Sequence, residues 1–153
     1  MIERPETPLG LPDELPPNVA ASRKAETGGS VILGLEILGC DAEAGLCDVA
    51  YEASDALANK WGAVHGGMVA AMMDDVMALA AGLHVEWGQI VPTLEMKVSY
   101  LSPARKGRLT ARGQVIKRGK STIFVEGALW NEDGSLAATG TSTYTLVTLK
   151  KKS

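Results

Sequence analysis

Residues 59–82 read NKWGAVHGGMVAAMMDDVMALAAG, and this stretch decides how the rest of the chain is taken. Between positions 68 and 81 every residue except Asp74 and Asp75 is Ala, Val, Leu or Met, so at least one carboxylate sits in or beside a buried helix. Burying a carboxylate is costly unless it is paired, hydrogen-bonded or used. Just before the run, His65-Gly66-Gly67 gives the helix a small, flexible start whose backbone N–H groups a ligand can approach closely. Those are the N–H groups a helix leaves unpaired, at the positive end of its dipole, and together they make an anion site. A candidate base or nucleophile and a candidate oxyanion site therefore share one segment.

Outward from this helix, expected over about residues 66–83, the pattern changes to period two. Upstream, residues 31–38 and 46–52 read as short strands joined by a Gly/Asp turn, with an irregular stretch over 53–64. Downstream, residues 93–100 alternate: Leu94, Met96, Val98 and Tyr100 point one way, Thr93, Glu95, Lys97 and Ser99 the other. Residues 109–117 repeat the pattern, a turn at Gly119 leads into 121–130, and Glu132-Asp133-Gly134 is a hairpin signal into 136–149. One apolar helix and about six mostly antiparallel strands make an α+β layer arrangement.

The 153 residues are 46% hydrophobic, enough for one domain with a real core, yet only 5% aromatic, so packing rests on Ala, Val, Leu and Met. A net charge of −3 gives no general attraction to nucleic acid or to an anionic membrane, and neither is expected as a partner. Cys40 and Cys47 stand without a second pair or a His cluster, which reads as two reduced, buried thiols rather than a metal site or a disulfide framework. The opening MIERPETPLG has acids and prolines where a signal peptide needs a basic start and an apolar run. Asp74 and Asp75 interrupt the best candidate for a membrane span. The expected location is the cytoplasm.

Five of the seven prolines fall in the first seventeen residues, so residues 1–28 are expected to be an irregular arm, with a short helix within 18–27. Residues 29–149 form the domain, and 150–153, carrying Lys150-Lys151-Lys152, a solvated basic tail.

Linked spacings tie the central stretch to a known family: Asp74 nine residues after His65, Asn59 six before it, and Tyr100-Leu101-Ser102-Pro103-Ala104 closing the next strand. In these features the chain resembles the hotdog-fold acyl-CoA thioesterases, and among them the phenylacetate-pathway type of the 4-hydroxybenzoyl-CoA thioesterase superfamily. The resemblance implies a hotdog fold, an antiparallel sheet wrapped around one long central helix, assembled as a homodimer, with a dimer of dimers left open. It implies hydrolysis of a thioester between coenzyme A and an acyl or aryl-acyl group, with no cofactor, since coenzyme A is part of the substrate. By the same resemblance Asp74 is the catalytic carboxylate and the Gly66 amide the oxyanion donor, with Gly67 beside it against the substrate. Asn59 orients water or carbonyl, and the Thr93 hydroxyl steadies water or carboxylate. His65 is assigned hydrogen-bonding and loop-shaping work.

Geometry adds an independent constraint. Gly66 and Asp74 are eight residues apart, a rise of about 12 Å along one helix, whereas a thioester oxygen and carbon each need their partner within about 3.5 Å. Two antiparallel helices related by a two-fold axis meet that requirement, each Gly66 facing the other chain's Asp74.

The remaining candidates are weighed against plainer roles. Asp75, about 100° round the helix from Asp74, is read as facing an interface or solvent. His84 reads as structural, its charge favoured by the helix C-terminus. Strict alternation puts Thr93 on the wetter strand face, so it reaches the helix only if the strand start bends. Met68, Met72, Met73 and Met77 read as core, though adaptable enough to suit a variable acyl chain. Of two basic turn clusters, Arg105-Lys106-Gly107-Arg108 and Lys117-Arg118-Gly119-Lys120, the resemblance favours the second, through Arg118 and Lys120, for the coenzyme A phosphates. Two other functions fit the same fold: a non-hydrolytic acyl-CoA binding module, and an acyl-thioester hydratase or dehydratase.

Overall fold

The computed structural model describes residues 2–149. Helix α1 spans Pro17–Arg23, α2 Gly29–Ile32 and α3 Gly66–Gly82; the strands are β1 Leu35–Asp41, β2 Leu46–Ala53, β3 Gln89–Ile90, β4 Thr93–Tyr100, β5 Gly107–Arg118, β6 Thr122–Asn131, β7 Leu136–Thr145 and β8 Val147–Thr148. Six of them form one sheet in the order β1-β2-β5-β6-β7-β4, every neighbouring pair antiparallel, while β3 and β8 pair separately. Between β2 and the far-edge strand β4 the chain passes through α3, which packs on one face of the sheet. This is the hotdog arrangement, α+β, with a six-stranded sheet around one long helix.

A row of glycines explains why the helix sits so close. Gly113 of β5 pairs with Gly127 of β6, which pairs with Gly140 of β7. A Cβ at Gly113 would lie 2.5 Å from the Val76 carbonyl oxygen, one at Gly127 2.8 Å from Met77 Cγ, and one at Gly140 3.1 Å from Met73 Cε. Three register-matched positions without side chains thus cut a channel across the sheet. Met73, Val76 and Met77 fill it and are fully buried. Tyr51 adds a polar tie, its hydroxyl donating to the Met72 carbonyl at 2.8 Å.

Two expectations are corrected. Residues 31–33 are not strand: α2 lies there, between Gly28 at φ +107° and Gly34 at φ +69°. Gly34 turns the chain against β2 so tightly that a Cβ would stand 2.7 Å from the Glu52 carbonyl, and β1 then continues to Asp41. The last strand is broken: β7 ends at Thr145 and β8 turns away to pair with β3, a strand not expected from the sequence. The arm is irregular up to α1 but is bound to the domain. Leu9 N–H donates to Asp48 Oδ2 at 2.8 Å, and a Cβ at Gly39 would run into the Leu9 carbonyl. Asp48 is 1% exposed and holds Arg112, its cross-strand partner, through Nε at 2.6 Å and an Nη at 2.7 Å. Lys150-Lys151-Lys152 lie outside the described residues.

Cys40 and Cys47 are buried, free and directly opposite one another on β1 and β2. Among the described residues no helix is long and apolar enough to cross a membrane.

Candidate active site

The start of α3 is built by its cap. His65 has extended backbone, and its Nδ1 accepts from the Gly67 N–H at 3.0 Å, a side-chain N-cap. The His65 carbonyl takes the N–H groups of Met68 at 2.8 Å and Val69 at 3.1 Å. Gly67, named from the sequence as a substrate contact, therefore spends its N–H on His65. That leaves the Gly66 N–H as the one first-turn donor with no acceptor among the described residues. Tyr100 lies over this glycine: its hydroxyl donates to the Gly66 carbonyl at 2.9 Å, and a Cβ at Gly66 would meet its ring at 3.6 Å.

A cavity of about 480 Å³ opens beside Gly66, walled by Asn59, Trp61, Val69, Tyr100 and the segment from Leu101 to Ala104. Asn59 is both turn residue and wall. Its Oδ1 accepts from the Trp61 N–H at 2.9 Å and the Ala63 N–H at 3.3 Å, which leaves the side-chain NH2 to donate. Asn131, absent from the sequence reading, fixes the opposite wall from β6: its Nδ2 donates to the Pro103 carbonyl at 3.1 Å, and its Oδ1 accepts from the Arg105 N–H at 2.8 Å.

Asp74 does not line this cavity. It faces β4 and β7, where Thr93 Oγ1 donates to its Oδ1 at 3.0 Å and the Tyr144 hydroxyl lies 3.2 Å from its main-chain oxygen and 3.4 Å from Oδ1. Thr93 reaches the helix because the strand start does bend. Thr93 pairs with Tyr144 and Glu95 with Thr143, so Leu94 is an extra residue in β4, a bulge that puts Thr93 on the same side as Met96 and Val98. Asp75 overturns its reading as an interface or solvent residue. It points inward, with Ser30 Oγ donating to Oδ1 at 2.8 Å, while Oδ2 is buried with no partner. Burial, with the charge of Asp74 adding to it, pushes the Asp75 carboxyl above its ordinary range against the opposing Ser30 bond.

The profile of the thioesterase superfamily matches residues 62–138, half of the chain, and so takes in the helix start, Asp74, Thr93 and the wall at Asn131. The chain belongs to the thioesterase superfamily. A phenylacetic acid degradation-related protein of Ralstonia eutropha JMP134 is 38% identical, with a TM-score of 0.76 over 82% of this chain and 96% of that one. Mouse acyl-coenzyme A thioesterase 13 is 32% identical over 87 residues, 56% of this chain and 61% of that protein. The 1,4-dihydroxy-2-naphthoyl-CoA hydrolase of Listeria monocytogenes is 28% identical over 78% of this chain and 94% of that one.

In this superfamily member the two basic clusters differ in how far they are already engaged. Arg105 pairs with Asp133, Lys106 with Asp55 at 2.5 Å, and Arg108 with Glu36 at 2.8 Å. Arg118 and Lys120, exposed around the β5–β6 turn, have no ion pair among the described residues. Arg118 lies near His84, just past the C-terminus of α3; burial first, then the charge of Arg118, hold that imidazole below its usual value. The expectation that the helix C-terminus favours a charged His84 is therefore corrected: its Nε2 is buried without a partner, so desolvation prevails. Among the described residues no group of three or more His, Cys, Asp or Glu is placed to hold a metal. Gly66 and Asn59 thus share one cavity, Asp74 lies further along α3 against Thr93 of β4, and Arg118 is near the far end of the helix.

Proposed function

We propose that this chain hydrolyses the thioester of an acyl- or aryl-acyl-coenzyme A, as a cytoplasmic homodimer with two shared sites. Each site takes the Gly66 amide from one subunit and the carboxylate of Asp74 from the other. The observation that carries this reading is the separation of the two halves: an unpaired N–H opens onto a cavity at the start of α3, and the hydrogen-bonded carboxylate lies eight residues along, about 12 Å away. A second copy with its helix antiparallel supplies the missing half. The relatives named as acyl-CoA thioesterase and as CoA hydrolase support the substrate class.

Chemically, the carbonyl oxygen of the thioester docks on the Gly66 N–H, with the Asn59 NH2 as a second donor for carbonyl or water. The partner subunit's Asp74 takes a proton from water as the hydroxyl adds to the carbonyl carbon, and negative charge collects where the helix N-terminus stabilises it. Collapse of the tetrahedral adduct breaks the C–S bond, the departing sulfur takes up the proton that the partner subunit's Asp74 had accepted, and the coenzyme A thiol and the free acid leave with the carboxylate regenerated. Direct attack by Asp74, giving a mixed anhydride that water opens, uses the same placement. The hydratase alternative pairs an acid with a catalytic His, and it is disfavoured because within one chain His65 stands nine residues from Asp74, at the cap of α3 with its Nδ1 holding the Gly67 N–H. Arg118 and Lys120 take the coenzyme A phosphates.

The test is thiol release from a panel of aryl, short-chain and long-chain acyl-CoAs, by wild type and Asp74→Asn. We expect turnover to fall by about 100-fold or more with binding largely retained. Near-normal release by a folded Asp74→Asn protein would sink the mechanism.

A further inference from the structure

Asp74 is held by more than Thr93. Tyr144 sits directly across the β4–β7 pair from Thr93, so the two hydroxyls rise side by side from adjacent strands toward one helix residue. Thr93 donates to Oδ1 at 3.0 Å; the Tyr144 hydroxyl lies 3.2 Å from the Asp74 main-chain oxygen and 3.4 Å from the same Oδ1. No donor among the described residues reaches Oδ2. Tyr144 is itself fully buried, so its ring cannot swing away and its hydroxyl cannot touch a substrate.

We infer that Tyr144 is a positioning residue for the reaction: with Thr93 it fixes Oδ1 of Asp74 and presents Oδ2 as the oxygen that reacts. A carboxylate in a helix has rotational freedom about its side-chain bonds. Donors mounted on two neighbouring strands remove that freedom without engaging the reacting oxygen. Bridging the main-chain oxygen and Oδ1, the phenol also ties the side chain to its own helix turn. Burial, with the charge of Asp74 adding to it, pushes the ionisation of Tyr144 well above the neutral range, so the hydroxyl keeps its proton to donate. The other titratable group beside Asp74 is Asp75 on the same helix, turned toward Ser30; Glu95, from β4, is engaged with Thr143 on the other side of the sheet.

This inference rests on the reading of Asp74 as the reacting carboxylate, and its test includes a measurement independent of turnover. In full-length protein carrying 3-fluorotyrosine at position 144, the fluorine resonance should move as Asp74 ionises, and that movement should vanish in Asp74→Asn. A resonance that does not follow Asp74 overturns the coupling, whatever the substrate. In Tyr144→Phe, which keeps the ring, kcat should fall about tenfold with KM within about twofold, and the acid limb of the kcat profile should move to higher pH. Unchanged kcat and limb in folded Tyr144→Phe would leave the hydroxyl merely structural and overturn the inference. If Tyr144→Phe does not fold, the fluorinated enzyme decides: its more acidic phenol donates more strongly, so its acid limb should move down, and an unmoved limb overturns the proposal. Wild-type protein that releases no thiol from any acyl-CoA sinks the functional reading alone, because the fluorine titration still decides whether Tyr144 holds Asp74.

Discussion

Asp74 and Asp75 share a peptide bond and meet opposite environments, one accepting hydrogen bonds from the strands, the other turned toward Ser30 and the buried Tyr51. The cost of the second is measurable. Burial raises the native ionisation of Asp75 above its unfolded value near 3.8, so below that value both states are neutral and no penalty exists. As pH rises through the window up to the native value, the native state lags in ionising and stability falls. Asp75→Asn should therefore gain on wild type in urea-unfolding midpoint between pH 4 and pH 7, with turnover changed far less than in Asp74→Asn. A gap between the two proteins that stays constant across that range would show that Asp75 carries no such penalty. At this scale the sequence was legible where spacing carried the signal: His65, Gly66 and Asp74 lie on α3 or at its cap, and Asn59 walls the cavity beside Gly66. Tyr100 was read only as part of the segment closing its strand, and Asn131 and Tyr144 were not singled out, since a tyrosine or asparagine at an alternating strand position looks like ordinary sheet.

The helix and most strands were legible because 3.6 and 2 are distinguishable periods, and α3 lies within a residue of its expected span. What period cannot report is a change of phase. The extra Leu94 moves Thr93 to the helix side, and Val31 and Ile32 coil into the end of α2, capped by Leu33, instead of extending. The glycine row is equally silent in sequence, because Gly113, Gly127 and Gly140 are far apart until register aligns them. It yields an ordered prediction. At Gly113 an added methyl meets a helix carbonyl, which cannot yield, whereas at Gly127 it meets Met77 Cγ and the terminal methyl of Met73, side-chain atoms with more room to move. Gly113→Ala should lose about 1–3 kcal/mol in urea unfolding, and Gly127→Ala clearly less. The reverse order would mean that α3 shifts more freely than its packing implies.

For the whole molecule the decisive question is whether one subunit lacks half a site. Asp74→Asn and Asn59→Ala are each expected to be inactive, the second because its loop and cavity wall lose the Oδ1 anchor. Mixed and allowed to exchange, they should regain activity, since one of the two sites in a heterodimer has both halves intact. No recovery despite demonstrated exchange would mean that each chain builds its own site. The leaving-group end is tested separately. Replacing Arg118 and Lys120 together by Ala should raise KM for acyl-CoA severalfold with kcat nearly unchanged, because contacts remote from the carbonyl are equal in ground and transition states. A truncated thioester without the nucleotide should not respond; equal weakening of both substrates would assign the two residues to folding instead.

The clamp between Asp48, Arg112 and Leu9 bears on the order in which the chain assembles. Asp48 belongs to the first hairpin, yet the guanidinium that compensates it comes 64 residues later. A β1–β2 hairpin closed alone would leave Asp48 in water, so its burial is complete only once β5 has brought Arg112 into register. The arm's Leu9 amide donates to that same carboxylate, so its native docking depends on β2 being in place. The clamp thus joins residues that are 39 and 64 positions apart, and amide exchange is expected to be fastest along the arm that it fastens.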